Sequence, residues 1–203
     1  DRAAAREVLT HCSKPYICCC NDAQSMQDIY EMAVLIAGGE EKFRQAPNLG
    51  LFNQPVAPLV HGDPVVEKAI FCAEKSIPLI YYSAEMAGGN APMTLAGLLA
   101  QGGAESLTGL VLTQLINPGT PFIFGTFTTV IDMMTTVFSY GAPEMSLMAA
   151  AMSQISHYCN LPFFGTAGCS DAKFPDQQAA AEAAFSCFSS ALSRGNLIHD
   201  PGW

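Results

Sequence analysis

Apolar residues in this chain fall into two textures. Short continuous runs alternate with longer stretches in which apolar positions recur every three or four residues. The stretch LPFFGTAGCSDAKFPD (Leu161 to Asp176) shows the junction best: a proline, an apolar run, glycine and small polar residues, then a helix start. The same cadence occurs in IPLIYYSAE (Ile77 to Glu85) and TPFIFGTF (Thr120 to Phe127). Continuous apolar runs of this kind are the pattern of strands covered on both faces, as in parallel sheets.

Taken in order, the pattern predicts a helix over residues 2–12 and a strand over Pro15–Cys20. Asn21 or Asp22 caps a helix with apolar stripe Met26, Ile29, Tyr30, Ala33 and Ile36, which Gly38-Gly39 stops. A short helix over Glu40–Gln45 precedes a strand at Leu49–Gln54, and Asp63-Pro64 opens a helix reaching Lys75. A strand at Pro78–Tyr82 is followed by a glycine-rich loop over Ser83–Pro92, then by a long helix from Thr94 to about Ile116. The strand Phe122–Gly125 leads into a broad loop or short helix through Met134. Pro143 opens a helix running to about Cys159, a strand follows at Leu161–Phe164, and an alanine-rich helix runs from Asp176 to Arg194-Gly195. Leu197–His199 starts a sixth strand.

Six strands alternating with helices, at a spacing of roughly 30 to 40 residues, make βαβ units and an α/β fold. A doubly wound sheet calls for a phosphate-gripping glycine loop after an early strand, and CCCNDAQS offers none. MAGGNAPMT lacks both the G-x-G-x-x-G spacing and a Lys-Ser/Thr pair. A (β/α)8 TIM barrel fits better, with about six of its eight strands in view. The expectation is therefore one barrel domain over residues 1–203, incomplete at both ends. Six strands leave two open edges, so the chain by itself is expected to aggregate or to pair as a homo-oligomer, and a stable dilute monomer in light scattering would count against this.

Composition narrows the partners. The net charge is -9 with 13% charged residues, which disfavours nucleic acid and anionic membrane, since both need clustered Lys and Arg. No leader pattern precedes the first helix, and the longest apolar candidate, Leu107 to Met134, is broken by Asn117, Pro118, Gly119 and Pro121. No membrane span is expected. The eight cysteines include no C-x-x-C, and Cys18, Cys19 and Cys20 in one strand cannot converge on one ion because successive side chains alternate in direction. Reduced, buried thiols in a cytoplasmic protein, with no metal site, are the reading that remains.

In a barrel the chemistry lies at the carboxyl ends of the strands. Those positions hold Asn21 and Asp22, Asn53 and Gln54, Tyr82 and Glu85, Thr126 and Phe127, Thr166 to Asp171, and His199-Asp200. Each has a plainer reading: Asp22 as a helix cap, Asn53 as a partner of loop backbone, His199-Asp200 as a structural pair rather than a proton relay, and Phe127 and Phe164 as core. Tyr81 and Tyr82 must face opposite sides of their strand. Collectively the set is anionic, aromatic and poor in cations, which suits a quaternary ammonium held over ring faces. A lyase or aldolase would need a strand-end Schiff-base lysine or a metal cluster, and Lys173 is the one lysine near a strand end.

The segment LGLFNQPVAPLVHGDPVVEKAIFCAEKSIPLIYYSAEMAGGNAPMTLAG, with GTAGCSDAKFPDQQAAAEAAFS and the terminal NLIHDPGW, resembles the trimethylamine methyltransferase family, the corrinoid-dependent group that includes glycine betaine methyltransferases. The resemblance implies a (β/α)8 barrel that moves a methyl group from a small methylated amine to the Co(I) of a cognate corrinoid protein. The corrinoid (cobalamin) would be carried by that partner and not bound by this chain. Co(I) attack requires the nitrogen to leave as a neutral amine. A quaternary ammonium already meets that requirement, whereas the trimethylamine enzymes are understood to need pyrrolysine. With only standard residues in the sequence, the resemblance favours a quaternary amine such as glycine betaine. In that reading Tyr82, Phe127 and Phe164 offer ring faces to the trimethylammonium group. Asn53, Gln54 and His199 hydrogen-bond a substrate carboxylate, Glu85 and Asp200 add negative potential, and Asp171 and Lys173 anchor the loop on which the corrinoid protein docks. Glu85, His199 and Asp200 are the candidate catalytic groups. The rivals are another barrel enzyme, a non-catalytic protein that binds quaternary amines, and an inactive fragment.

Overall fold

The computed structural model describes residues 1–202, so Trp203, the last residue of the NLIHDPGW block, lies outside it. The elements are α1 (Arg2–His11), β1 (Tyr16–Cys18), α2 (Ala23–Ala37), α3 (Glu40–Gln45), β2 (Leu49–Asn53), α4 (Asp63–Lys75), β3 (Leu79–Ala87), α5 (Leu95–Ile116), β4 (Phe122–Val130), α6 (Pro143–Tyr158), β5 (Phe163–Thr166), α7 (Gln177–Leu192) and β6 (Leu197–His199). The strands form one sheet in the order β1-β2-β3-β4-β5-β6. Each strand neighbours its predecessor in sequence. That singly wound order belongs to a (β/α) barrel, whereas a doubly wound sheet reverses direction part-way. The fold is α/β, a partial (β/α)8 barrel.

The chain packs as two compact units, Asp1–Gln54 with His61–Tyr81 and Thr108–Phe122, and Pro55–Val60 with Tyr82–Leu107 and Ile123–Trp203. In the first unit β1 pairs in parallel with β2 (Tyr16 opposite Leu49), and β2 with β3 (Asn53 opposite Tyr81). Asp22 caps α2 by accepting from the Ser25 N–H at 2.7 Å, and Gly38, at φ 85°, ends it in a left-handed turn. The buried core here includes Met26, Ile29, Phe43, Leu49, Leu51 and Ile77. Gly109 of α5 has no Cβ because the Tyr81 ring lies where one would be, 2.2 Å from Cγ.

In the second unit β4 pairs with β5 (Phe124 opposite Phe163) and β5 with β6 (Thr166 opposite His199), again in parallel. Thr94 caps α5 through the Gly97 N–H, and Asp176 caps α7 through the Ala179 N–H. Two strands run further than the sequence pattern indicates. β3 continues through Ser83 and Glu85 to Ala87, and β4 continues past Gly125 to Val130. The polar residues of β3 do not end it because its outward side is buried: Ser83 donates to the Gly102 carbonyl at 3.1 Å, and Glu85 is 0% exposed. Asn90 then satisfies the strand's end, accepting from Met86 N–H and donating to the Ala84 carbonyl. β4 gains Thr126, Phe127, Thr128 and Thr129, whose branched and aromatic side chains favour the extended backbone.

β1 stops at Cys18, short of the expected Cys20. All eight cysteines are free, but Cys12, Cys19, Cys159 and Cys187 are exposed, so the expectation of uniformly buried thiols holds for only half of them. α5 is long and apolar enough, by length and composition, to cross a membrane, which the broken run at Leu107 to Met134 did not suggest. It nevertheless carries the buried Glu105.

Candidate active site

Alternation along the strands sorts the second unit's side chains onto two faces. Tyr82 of β3, Phe127 of β4, Phe164 and Thr166 of β5 and His199 of β6 share one face and touch. Tyr82 Oη lies 2.6 Å from Thr166 Oγ1 and 3.0 Å from His199 Nε2, which itself lies 2.9 Å from Thr166 Oγ1. The Phe164 ring stacks on His199 at 4.5 Å and meets Tyr82 edge-on at 5.6 Å. Phe127 lies nearly parallel to Tyr82 with centroids 6.5 Å apart.

Asp200 follows in a left-handed conformation (φ 65°), which brings its carboxylate back to His199 Nδ1 at 2.8 Å. That contact places a proton on Nδ1, between the ring and the carboxylate. Burial pushes the Tyr82 phenol well above its ordinary pKa, which keeps it protonated. His199 Nε2 lies within hydrogen-bonding distance of both hydroxyls.

Tyr82, Phe127 and Phe164 are 3%, 9% and 4% exposed, so the rings expected to bear a ligand form a buried floor. The half-buried rings above that floor come from the segment before α6. Phe138 stacks on Phe127 at 4.4 Å, and Tyr140 lies 5.3 Å from Phe127 and 5.1 Å from Phe138. Asp171 fixes this segment by accepting from the Tyr140 and Gly141 N–H groups, both at 2.9 Å. Glu182 of α7 in turn accepts from Asp171 N–H at 2.9 Å and Ser170 Oγ at 2.7 Å. Lys173 is exposed and has no ion pair among the described residues.

The remaining expected site residues lie elsewhere. Glu85 is three residues from Tyr82 and therefore on the opposite side of β3, against α5. A Cβ on Gly102 would lie 2.8 Å from its Oε2. Burial and the neighbouring Glu105 raise its pKa to about 9, so at neutral pH it is an uncharged acid and adds no negative potential. Asn53 ends β2 in the first unit, buried, and donates to the Val65 carbonyl at 2.8 Å; Gln54 is exposed. Thr166 stood among the strand-end residues without a role, and Phe138 and Tyr140 were missed. Their signal is faint: two aromatics one residue apart in VFSYGAP.

The family described as trimethylamine methyltransferase (MTTB) matches residues 3–203. This chain belongs to the trimethylamine methyltransferase family. It is 32% identical over 198 residues to a trimethylamine methyltransferase of Desulfitobacterium hafniense, covering 98% of this chain and 40% of that protein. A trimethylamine methyltransferase of Methanosarcina thermophila is 35% identical over 165 residues, covering 81% of this chain and 34% of the relative. A glycine betaine methyltransferase of D. hafniense is 31% identical over 172 residues, 85% of this chain and 36% of its own length. The chain thus spans two fifths or less of these curated relatives.

Proposed function

We propose that the protein of which this chain is a part transfers a methyl group from a quaternary amine, with glycine betaine favoured, to a corrinoid carried by a separate protein. When bound, the corrinoid supplies Co(I) as the methyl-accepting nucleophile. The observation that carries the substrate assignment is the half-buried aromatic corner of Phe138 and Tyr140 over Phe127, beside the His199-Asp200 pair.

In this reading the rings present negative π faces to the trimethylammonium group. The Asp200 carboxylate beside His199 favours positive charge over neutral or anionic ligands. The unit's cationic side chains are Lys173 and Arg194, against eight Asp and Glu. Demethylation of a quaternary ammonium releases a neutral tertiary amine, so the site has no proton to deliver. Its work is to orient the nitrogen–carbon bond and to exclude water. The relatives named for trimethylamine favour the tertiary amine as the alternative substrate. The test is methylation of a Co(I) corrinoid protein by the full-length protein, followed by absorbance, with the two amines side by side. Transfer from glycine betaine alone is expected; transfer from trimethylamine alone overturns the quaternary-amine assignment.

A further inference from the structure

Behind β3 and β4, on the side away from the aromatic floor, the second unit encloses a polar cluster that the proposed reaction does not use. The Ile131 N–H donates to the Ala87 carbonyl, a parallel register that sets Thr128 beside Glu85 and Thr126 beside Ser83. Alternation turns all four away from Tyr82 and Phe127 and toward α5. The helix closes over them: Ser83 Oγ donates to the Gly102 carbonyl at 3.1 Å, and Ser106 Oγ accepts from the Gly125 N–H at 3.3 Å. Glu85 and Glu105 are 0% exposed, and Thr126 and Thr128 are 3% exposed. Four oxygens of this cluster, Glu85 Oε1, Glu105 Oε2, Thr126 Oγ1 and Thr128 Oγ1, are buried with no hydrogen-bond partner among the described residues. Glu105 Oε1 accepts from the Leu59 N–H at 2.8 Å and from Gln101 Nε2 at 3.2 Å, as suits a carboxylate. Among the described residues no Lys, Arg or His pairs with either glutamate. Even a proton shared between the two carboxyl groups leaves both threonine oxygens unmet and one negative charge buried, and such a charge needs a counter-charge.

We propose that these four oxygens bind an alkali-metal cation, sodium or potassium, between β3, β4 and α5. The Glu105 carboxylate balances the charge of the ion. The carbonyl oxygen of the protonated Glu85 and the two threonine hydroxyls complete the protein's share of an all-oxygen shell. One negative charge and four oxygens fall short of the about six to eight ligands that calcium takes, and they suit a monovalent ion. Phe127 lies between the two threonines in β4, so the ion braces from behind the strand that carries the aromatic floor.

The test uses the full-length protein at neutral pH and constant ionic strength. Its melting temperature is expected to rise by about 3 °C when about 100 mM N-methyl-D-glucamine chloride is replaced by sodium or potassium chloride. Thr128→Val removes one ligand at nearly the same side-chain shape and is expected to lose most of that rise. In N-methyl-D-glucamine chloride this variant should melt no lower than the wild type, because it also removes an unpartnered buried hydroxyl. Glu85→Gln keeps the carbonyl oxygen and should keep the rise. A wild type that melts alike in all three salts would mean that the oxygens enclose water only. An equal rise in Thr128→Val would mean a general effect of salt, and either result overturns the site. The wild-type comparison stands even if a variant does not fold.

Discussion

In the full-length protein, the double variant Phe138→Leu/Tyr140→Leu is expected to weaken glycine betaine binding by roughly 30-fold. Each ring over a partly desolvated cation contributes about 1 kcal/mol, and two removed together approach 2 kcal/mol. Leucine keeps apolar bulk above Phe127, so the change removes π faces more than volume. The control is 3,3-dimethylbutyrate, which has the shape of glycine betaine with carbon in place of the cationic nitrogen. Its weaker binding should change by no more than about threefold. Calorimetric titration of both ligands against both proteins reads the result. An equal loss for the two ligands would mean that the rings act by shape alone, and the cation assignment would fail.

The same experiment separates the corner from the floor beneath it. Phe138 and Tyr140 are held through Asp171, whose two oxygens accept from consecutive backbone N–H groups. Asp171→Asn keeps one acceptor and loses the charge that strengthens both bonds. It is expected to give a smaller version of the double variant's effect, about fivefold by the same titration, because it frees the segment without deleting a ring. Asp171 thus acts on the ligand through the segment it positions.

Much of the architecture was legible because it depends on punctuation that sequence displays directly. Asp22, Gly38, Pro64, Pro143 and Asp176 mark helix ends by capping or by backbone restriction, and each lies at an observed boundary. The strand extents were less legible. Ser83 and Glu85 are polar residues inside a strand, and their partners Gly102 and Glu105 arrive from α5, some twenty residues later. No local pattern encodes such a pairing. The site shows the same division. Tyr82, Phe164 and His199 lie at or near the carboxyl ends of predicted strands, and they meet in the structure. Phe138 and Tyr140 sit in an irregular segment whose course is set by Asp171, thirty-odd positions away, and no periodicity led to them.

Glu85→Gln is expected to stabilise the protein above neutral pH and to flatten its stability profile. Glu85 and Glu105 are both 0% exposed, and Glu85 carries a pKa of about 9 in the folded chain. In the unfolded chain it titrates near the ordinary glutamate value of about 4.3. Between those values the folded state holds a proton that the unfolded state has released. Stability from this group is therefore complete below the unfolded pKa and falls as pH rises toward 9, by up to about 1.4 kcal/mol per pH unit. The amide of the variant mimics the protonated acid, keeps a donor for Glu105 and has no proton to lose. Wild type and variant should accordingly be similar at pH 5, while at pH 8 the variant should be more stable by several kcal/mol. Urea unfolding of the full-length protein at the two pH values, followed by circular dichroism, measures the difference. Parallel loss in both proteins would show that the Glu85 carboxyl is not the group that titrates. The result also bears on the site, because a Glu85 that stays protonated through neutral pH leaves the negative charge beside the aromatic corner to Asp171 and Asp200.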